Sequence, residues 1–411
     1  MYVRNSVNSI ARAKFFNRGM KEEKWDGAYD ETSIGATLER ESLNMSPFEK
    51  NELIDLIKSR MVGGEKTPGY KVGMLRDLGY MGTIANPISA ITQLGDIGVS
   101  GALHGFRNTI ASMFKTKNVS MIDVGLEEVG QEFADIRWSS NALRKLFGIS
   151  GFRRIDRLGK ETSMNAAFKK NINLLKTEEG EKVFREKWGK FYKEDVDQLI
   201  GELKVAGKGG EITEGIKFHA FNELSDMQPI SMLEMPKMYV DHPQGRLFYA
   251  LKTFTLKQYD IVRRNIIGEW KAGNKKEAIK NAGLLVGYLS AANVGTQTIR
   301  DILLGKDPGL DDSSELIDKS IWALLGVYGF NQYGAEKYLK QGKIKEFAAN
   351  TIMPAVPYID VITGLGAELN KDDPNVGKYL RAAPLVGPMF YNWFGGGAEK
   401  YNERLQKERN K

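Results

Sequence analysis

Apolar residues recur along this chain at the spacing of an α-helix. After Ser46, leucine, isoleucine and methionine form one stripe, with Pro47 suited to the first helical position and Glu49 able to complete a capping box. Gly63 is the expected end of this helix. A second amphipathic pattern predicts a long helix from about residue 245 to residue 271. We therefore expect a mainly α fold: an extended multi-helix assembly with glycine-rich apolar helices and little or no sheet.

Several stretches of the chain carry no charge and contain glycine within otherwise apolar sequence. The chain has 44 glycines, and their presence in apolar helices favours close helix approach, kinks or ordering on assembly, because each costs a helix about 1 kcal/mol relative to alanine. Buried core helices and loops are the favoured interpretation, since a spanning helix needs about 20 predominantly apolar residues. Conditional membrane insertion of several assembled segments is the alternative. The stretches are residues 78–95, 281–299, 320–335 and 382–398.

The pair Asn86 and Pro87 predicts the start of an apolar helix with one thin polar stripe. An acid in such a helix is usually paired, protonated or exposed to water. The acid of this stripe is Asp96. We interpret Asp96 either as a hydrogen-bonded core residue or as the partner of a basic residue that fixes how this helix docks during assembly. The stripe consists of Ser89, Gln93, Asp96, Ser100 and His104, and the residues predicted to dock this helix against a neighbour are Gln93, Asp96, Gly101 and Gly105.

Changes in composition divide the chain into four predicted segments. Three prolines, Pro229, Pro236 and Pro243, indicate an extended connector before the long helix. The segments are residues 1–73, a polar arm and helix; 74–226, a helical region with the apolar helix and a basic patch; 227–305, the connector and long helix; and 306–411, the region of later apolar stretches.

The formal net charge is +7 and the isoelectric point is about 9.1, a balance that favours polyanionic partners such as nucleic acid or an anionic lipid surface. Basic residues are densest between residues 137 and 160, where aromatic residues are interleaved with them. No recognition-helix motif accompanies them, so we predict phosphate contacts that do not read base sequence. A solvated helix face is the alternative. The predicted contact residues are Arg144, Lys145, Arg153, Arg154, Arg157 and Lys160.

The chain lacks the sequence signatures of the common catalytic sites. It has no cysteine, which excludes disulfides, thiolate nucleophiles and cysteine-ligated zinc. Its three histidines are not at metal-ligand spacing, and no GxSxG, Walker A or GxGxxG motif occurs. We therefore expect no catalytic residue, no metal and no cofactor. An enzyme with an unrecognised acid–base site is a third alternative.

Two segments carry distinctive strings, residues 75–105 and residues 227–270. The first contains NPxSAxTQLGD and the second contains PxGRxxxxLKTF. Together they resemble the helical region near the C-terminal end of the large polyvalent proteins of tailed phages, over about residues 70 to 305. The matching positions are Asn86, Pro87, Ser89, Ala90, Thr92, Gln93, Leu94, Gly95 and Asp96, then Pro243, Gly245, Arg246, Leu251, Lys252, Thr253 and Phe254.

The resemblance implies a phage internal virion protein that is ejected with the genome and helps to build a helical conduit for its delivery. The implied partners are other virion proteins such as the portal or other ejection proteins, further copies of this chain, non-specific nucleic acid and the host membrane. The implied location is the capsid interior, followed by the host envelope or cytoplasm. The chain lacks the enzymatic modules fused to those proteins, so none of their activities transfers. The alternative within this class is a capsid-interior structural protein that binds packaged DNA without membrane contact.

Overall fold

The computed structural model describes most of the chain from residue 69 to residue 327 and shorter pieces outside it. Every element in these ranges is helical and none is a strand, which confirms the mainly α prediction. The chain divides into two compact units, Met1–Lys66 and Thr67–Lys411. The described residues are 43–53, 69–83, 87–114, 118–126, 138–228, 253–308, 313–327, 341–345, 367–371 and 387–394, with isolated residues between 40 and 407.

Unit 1, Met1–Lys66, contains a helix over residues 47–53. It begins at Pro47, and the predicted capping box is present. The Ser46 backbone N–H donates to Glu49 Oε2 over 2.8 Å, and the Glu49 backbone N–H donates to Ser46 Oγ over 3.3 Å. The predicted arm before residue 40 and the predicted end at Gly63 lie outside the described residues.

Unit 2, Thr67–Lys411, contains the remaining described helices. The tenth continues from Val262 through a π-helical turn, Arg263–Gly268, to a last turn at Glu269–Lys271. The helices are α1 (Tyr70–Thr83), α2 (Pro87–Thr92), α3 (Asp96–His104), α4 (Phe106–Phe114), α5 (Trp138–Ile149), α6 (Phe152–Leu174), α7 (Glu178–Tyr192), α8 (Val196–Ala206), α9 (Glu214–Ser225), α10 (Thr253–Val262), α11 (Lys275–Leu303), α12 (Ser313–Val327) and α13 (Gly387–Phe394).

The helix expected to run on from Asn86 is divided into shorter pieces. Helix α2 begins at Pro87 as predicted, but a 3₁₀ turn, Gln93–Gly95, separates it from α3. Gly105 then separates α3 from α4 with a φ of 87°, a conformation that glycine adopts without steric cost. The polar stripe is therefore spread over several short elements instead of one straight face.

Threonine side chains start two of the helices around the core. Thr177 Oγ1 accepts from the Gly180 backbone N–H over 3.1 Å at the start of α7, and Thr213 Oγ1 accepts from the Ile216 backbone N–H over 3.3 Å at the start of α9. Each hydroxyl satisfies an N–H that has no partner within its helix. Residues 207–213 form the loop that connects α8 to α9.

Helix α6 is the central element of unit 2. Residues 159–168 are all buried, and helices α2, α3, α4, α5, α7, α8 and α9 pack around it. The largest apolar cluster joins the C-terminal half of α6 to α7, α8 and α9. Its buried members are Phe168, Leu175, Phe184, Trp188, Val196, Leu199, Ile200, Leu203, Ala206 and Ile216.

Helix α11 takes up the uncharged stretch 281–299. Leu285 and Leu289 are buried in a second core with Val99 of α3 and Ile261 of α10, so this part of the stretch is core as expected. The other two late stretches are described only in part, in α12 and α13. Among the helices that the structure describes, none has the length and apolar character needed to cross a bilayer.

The contact between α3 and α11 depends on a glycine. A Cβ atom at Gly98 would lie 2.7 Å from the Tyr288 carbonyl oxygen and 2.8 Å from the Ala292 Cβ. No side-chain rotation could relieve the first of these contacts, because the oxygen belongs to the backbone. This packing joins the predicted segments 74–226 and 227–305 in one core.

Replacing Gly98 with alanine should separate α3 from α11 and destabilise the protein. We expect the free energy of unfolding in urea to fall by about 1–3 kcal/mol, the usual cost of overpacking. The matched control is Gly287→Ala on α11, where no described atom lies within 4 Å of the added Cβ. The control should be neutral or stabilising by up to about 1 kcal/mol, because alanine is the better helix former. Equal effects of the two substitutions would contradict the close approach.

Candidate functional site: a polar cavity beside the central helix

A cavity of about 270 Å³ lies where α3, α6, α7, α9, the π-helical turn and α11 meet. Its wall is rich in charged side chains of both signs, which is unusual for a space enclosed by core helices. The lining residues are Ala102, Leu103, His104, Lys170, Lys187, Glu223, Asp226, Met227, Ile261, Arg264, Asn265, Ile266, Glu277, Asn281 and Leu285.

Glu223 of α9 is a buried carboxylate that is held in its ionised form. Lys187 Nζ lies 3.0 Å from its Oε2, and Asn171 Nδ2 donates to its Oε1 over 3.0 Å. Burial would raise the pKa of Glu223, but the Lys187 ammonium and the Asn171 hydrogen bond hold that pKa well below its ordinary value. The cavity wall therefore contains a permanent negative charge at neutral pH.

His219 lies one helical turn before Glu223 on α9 and is neutral. Its Nε2 must accept, because the Asn171 amide nitrogen 2.9 Å away can only donate. Its Nδ1–H therefore donates to the Tyr192 hydroxyl over 3.1 Å, and Asn222 Nδ2 donates to the same hydroxyl over 3.2 Å. Burial lowers the pKa of His219 to about 4.

His104, the last residue of α3, is also neutral, because burial lowers its pKa to about 3. Its Nε2 lies 2.9 Å from Met227 Sδ, and sulfur can only accept in this pair, so the proton is on Nε2. Its Nδ1 is then a lone-pair acceptor, and it is buried with no hydrogen-bond partner in the described part of the chain. An orphan acceptor of this kind is expensive unless a small molecule or water supplies a donor.

Lys170 of α6 adds a half-buried positive charge. Its Nζ donates to the Leu103 carbonyl oxygen over 2.7 Å, near the C-terminal end of α3. Burial lowers the pKa of Lys170, and the nearby Lys187 lowers it further, while Glu223 partly offsets both effects. A helix C-terminus attracts a cation, but one carbonyl satisfies only one of the three ammonium N–H groups.

The π-helical turn supplies the opposite wall of the cavity. Arg264 Nη1 lies 3.0 Å from Asp226 Oδ1, and Arg264 Nε lies 2.9 Å from Asp260 Oδ2. Short π-helical segments within α-helices are frequent at functional sites. The described residues contain no group of three or more His, Cys, Asp or Glu placed to hold a metal ion. The arrangement suits the binding of a small polar molecule.

The predicted basic patch lies on α5 and the N-terminal half of α6, and its members differ in exposure. Lys145 and Arg154 are exposed, while Arg144 and Arg153 are half-buried, with Arg144 donating to Asn141 Oδ1. Arg157 is 52% exposed and pairs with Glu161.

Lys160 is the one predicted contact residue that the helix packing withdraws from the surface. Its side chain is 10% exposed and its Nζ lies 2.7 Å from Asp156 Oδ2. Residue 160 lies on the buried face of α6, so its ammonium is committed to this internal ion pair and does not extend the exposed basic surface.

The predicted docking residues differ in the contacts that they make. Gly101 lies against the Tyr288 ring, with the position of an added Cβ 3.2 Å from its Cδ1. Gly105 ends α3 and has no comparable contact. Gln93 lies in the 3₁₀ turn and Asp96 begins α3, but their side chains lie outside the described residues. Between Gly98 and Gly101 of α3, the closer contact with α11 is made by Gly98, which the GxxxG spacing did not single out.

Sequence reasoning found only one residue of the cavity, His104 of the polar stripe. Lys170, Lys187, Glu223 and Arg264 come from four separate elements and share no spacing that would connect them. Comparison with protein-family models, with curated proteins and with solved structures found no match. The functional argument therefore depends on the residues and their geometry.

Acidification should destabilise unit 2 through its buried histidines. Both are neutral when folded, whereas in the unfolded chain they bind a proton below their ordinary pKa of 6.5. The contribution of the neutral histidines to the free energy of unfolding is complete above pH 6.5. It is lost as the pH falls toward 4 for His219 and toward 3 for His104. At about 1.4 kcal/mol for each pKa unit, His219 alone should lower the free energy of unfolding by about 3 kcal/mol at pH 4.

Urea unfolding of the parent protein and His219→Gln between pH 7 and pH 4 measures this effect. We expect a shallower pH dependence in the variant, because glutamine does not titrate. The exposed His242 provides the control, and His242→Gln should keep the parent's slope. An unchanged slope in His219→Gln would show that His219 takes up its proton in the folded state.

Proposed function

We propose that this chain is an internal virion protein of a tailed phage that assists genome delivery by assembly and not by catalysis. One observation carries the proposal: the two segments that resemble the large polyvalent phage proteins meet in a single core. Val99 comes from the first segment, Met227 and Ile261 come from the second, and all three are buried together. Two segments of the chain whose core residues are more than a hundred positions apart thus contribute to one core, as expected of a shared module.

The surface of α5 and α6 supports the DNA-contacting part of the proposal. Lys145 and Arg154 are exposed, and Arg157 is exposed over half of its surface. Exposed cations bind phosphates without reading the bases and release counterions on binding. Such binding suits a protein that is packed beside a genome and travels with it.

Exposed apolar side chains support assembly with other copies, with other virion proteins such as the portal, or with the host envelope. They lie along two helices of the C-terminal half. A conduit needs contacts of this kind, because subunits associate mainly by burying apolar surface. The side chains are Ile279, Leu284, Val286, Ile299, Ile302 and Leu303 of α11 and Ile317 and Ile321 of α12.

A capsid-interior protein that binds packaged DNA without membrane contact is the second candidate. It is favoured by the burial of Leu285 and Leu289, which commits part of the uncharged stretch of α11 to the core. A segment packed in this way needs to unfold from α3 before it could enter lipid.

Particle fractionation separates the two candidates. We expect mass spectrometry to find the protein in purified DNA-filled particles of the phage that encodes it, and to find it depleted from particles that have ejected their DNA. Retention in the emptied particles would favour the capsid-interior candidate. Absence from both kinds of particle would contradict both candidates.

The basic surface makes a separate prediction for the purified protein. Lys145→Gln with Arg154→Gln should weaken DNA binding by a similar factor for unrelated sequences. It should also reduce the slope of log affinity against log salt by up to about 2, since each phosphate contact contributes about 0.9. The control is Lys190→Gln with Lys208→Gln, which removes the same charge from α7 and the loop after α8. Equal effects of the two double variants would mean that net charge, and not this surface, binds DNA.

A further inference from the structure

The end of α10 and the start of α11 form a helical hairpin, and its tip is residues 267–280. Gly273 reverses the chain between the two helices with a φ of 88°, a conformation that favours glycine. Asn281 Nδ2 donates to the Asn265 carbonyl oxygen over 3.0 Å and fastens the first turns of α11 to the π-helical turn. The tip residues are exposed, except for the half-buried Glu269 and the buried Ala278.

Three large apolar side chains are exposed on the hairpin tip. Trp270 is 51% exposed, Ile279 is 63% exposed and Ile267 is 39% exposed. Ile267 and Trp270 are three positions apart and share a helix face. Lys275 Nζ lies 5.7 Å from the centroid of the Trp270 ring, and Ile279 follows Lys275 by one turn of α11. The indole and the isoleucine of α11 therefore border the same lysine.

Lysines accompany these apolar side chains. Of the four lysines on the tip, Lys280 pairs with Glu277 at 3.1 Å. The other acid of the tip is Glu269, which accepts from Asn274 Nδ2 over 2.8 Å. The remaining lysines are exposed, and none of them forms an ion pair with a carboxylate that the structure describes. They are Lys271, Lys275 and Lys276.

We propose that the hairpin tip docks onto an anionic phospholipid surface. An indole ring is favoured at the boundary between lipid and water, and aliphatic side chains enter the outer part of the acyl region. Exposed lysines are attracted to anionic headgroups. A nucleic acid strand would also attract the lysines and can stack on Trp270, but it offers no apolar phase to Ile267 and Ile279. The two isoleucines therefore favour lipid.

The inference deepens the proposed function and rests on it for its biological setting, the host envelope. It assigns lipid contact to the α10–α11 hairpin, whereas the proposed DNA contact lies on α5 and α6. Mutations can therefore remove the two kinds of contact separately.

Flotation of the full chain with phosphatidylcholine vesicles, with and without phosphatidylglycerol, tests the proposal. We expect binding to the vesicles that contain phosphatidylglycerol and weak binding to the neutral ones. Added salt should weaken the first, because it screens the lysines from the headgroups. Tryptophan emission should shift to shorter wavelength on binding, and Trp270→Phe should bind with a smaller shift, because the indole that enters the interface is missing.

Two combined variants locate the surface. Trp270→Ser with Ile279→Ser should weaken vesicle binding at least about tenfold, because two apolar side chains no longer enter the interface. The matched control is Val183→Ser with Phe191→Ser on α7, where the replaced side chains are 52% and 56% exposed, and it should bind as the parent does.

Replacing the three tip lysines, Lys271, Lys275 and Lys276, with glutamine should weaken binding to anionic vesicles by about fivefold for each lysine. The Lys145→Gln with Arg154→Gln variant serves as the charge control and should keep vesicle binding. Circular dichroism establishes that each variant is folded.

Absence of flotation with anionic vesicles would overturn the proposal, as would equal binding to neutral and anionic vesicles. Equal losses in the tip variant and the α7 control would overturn it as well. An unchanged emission shift in Trp270→Phe would show that a different part of the chain enters lipid. Loss of DNA binding in the Trp270→Ser with Ile279→Ser variant would assign the tip to nucleic acid instead. Failure of the proposed function is seen separately, as absence of the protein from phage particles.

Discussion

The middle of α6 places charged and amide side chains in the interior of unit 2, where each needs hydrogen-bond partners from the surrounding structure. Asn165 accepts from the Asn118 and Val119 backbone N–H groups at 2.7 and 3.1 Å, and its amide donates to the Val119 and Glu161 carbonyl oxygens. All of its hydrogen-bonding capacity is therefore used. Each such group would cost about 1–3 kcal/mol if it were left unpaired, so these hydrogen bonds hold the loop that begins at Asn118 against α6.

The same constraint continues along α6 into the candidate site. Asn171 bridges His219 and Glu223 of α9, and the adjacent Lys170 contacts the end of α3. Burial among neighbouring helices, and not local sequence context, lowers the pKa values of His219 and Lys170. Gly98 lets α3 lie close to α11, whose Asn281 and Leu285 line the cavity. Packing and electrostatics are thus coupled through one helix.

The cations of α6 differ in whether they are exposed or paired inside the protein. Arg154 and Lys160 are six positions apart on α6, yet one is exposed and the other forms an internal ion pair with Asp156. A basic run in the sequence therefore overstates the charge available to a polyanion. The apolar side chains exposed on α11 and α12 lie outside the core of unit 2 and are available for contacts with other subunits.

Local rules were sufficient for the features that depend on a few neighbouring residues. The mainly α fold, the capping box at Ser46 and the helix start at Pro87 follow from side chains that act within one helical turn. The cavity could not be predicted in this way, because His104 and Met227 are 123 positions apart and only the packing of α3 and α9 on α6 brings them together. Burial also decides which cations are exposed and which histidines stay neutral. Sequence alone determined where several helices begin, and tertiary structure decided which polar groups line the same cavity, because that depends on every helix that surrounds it.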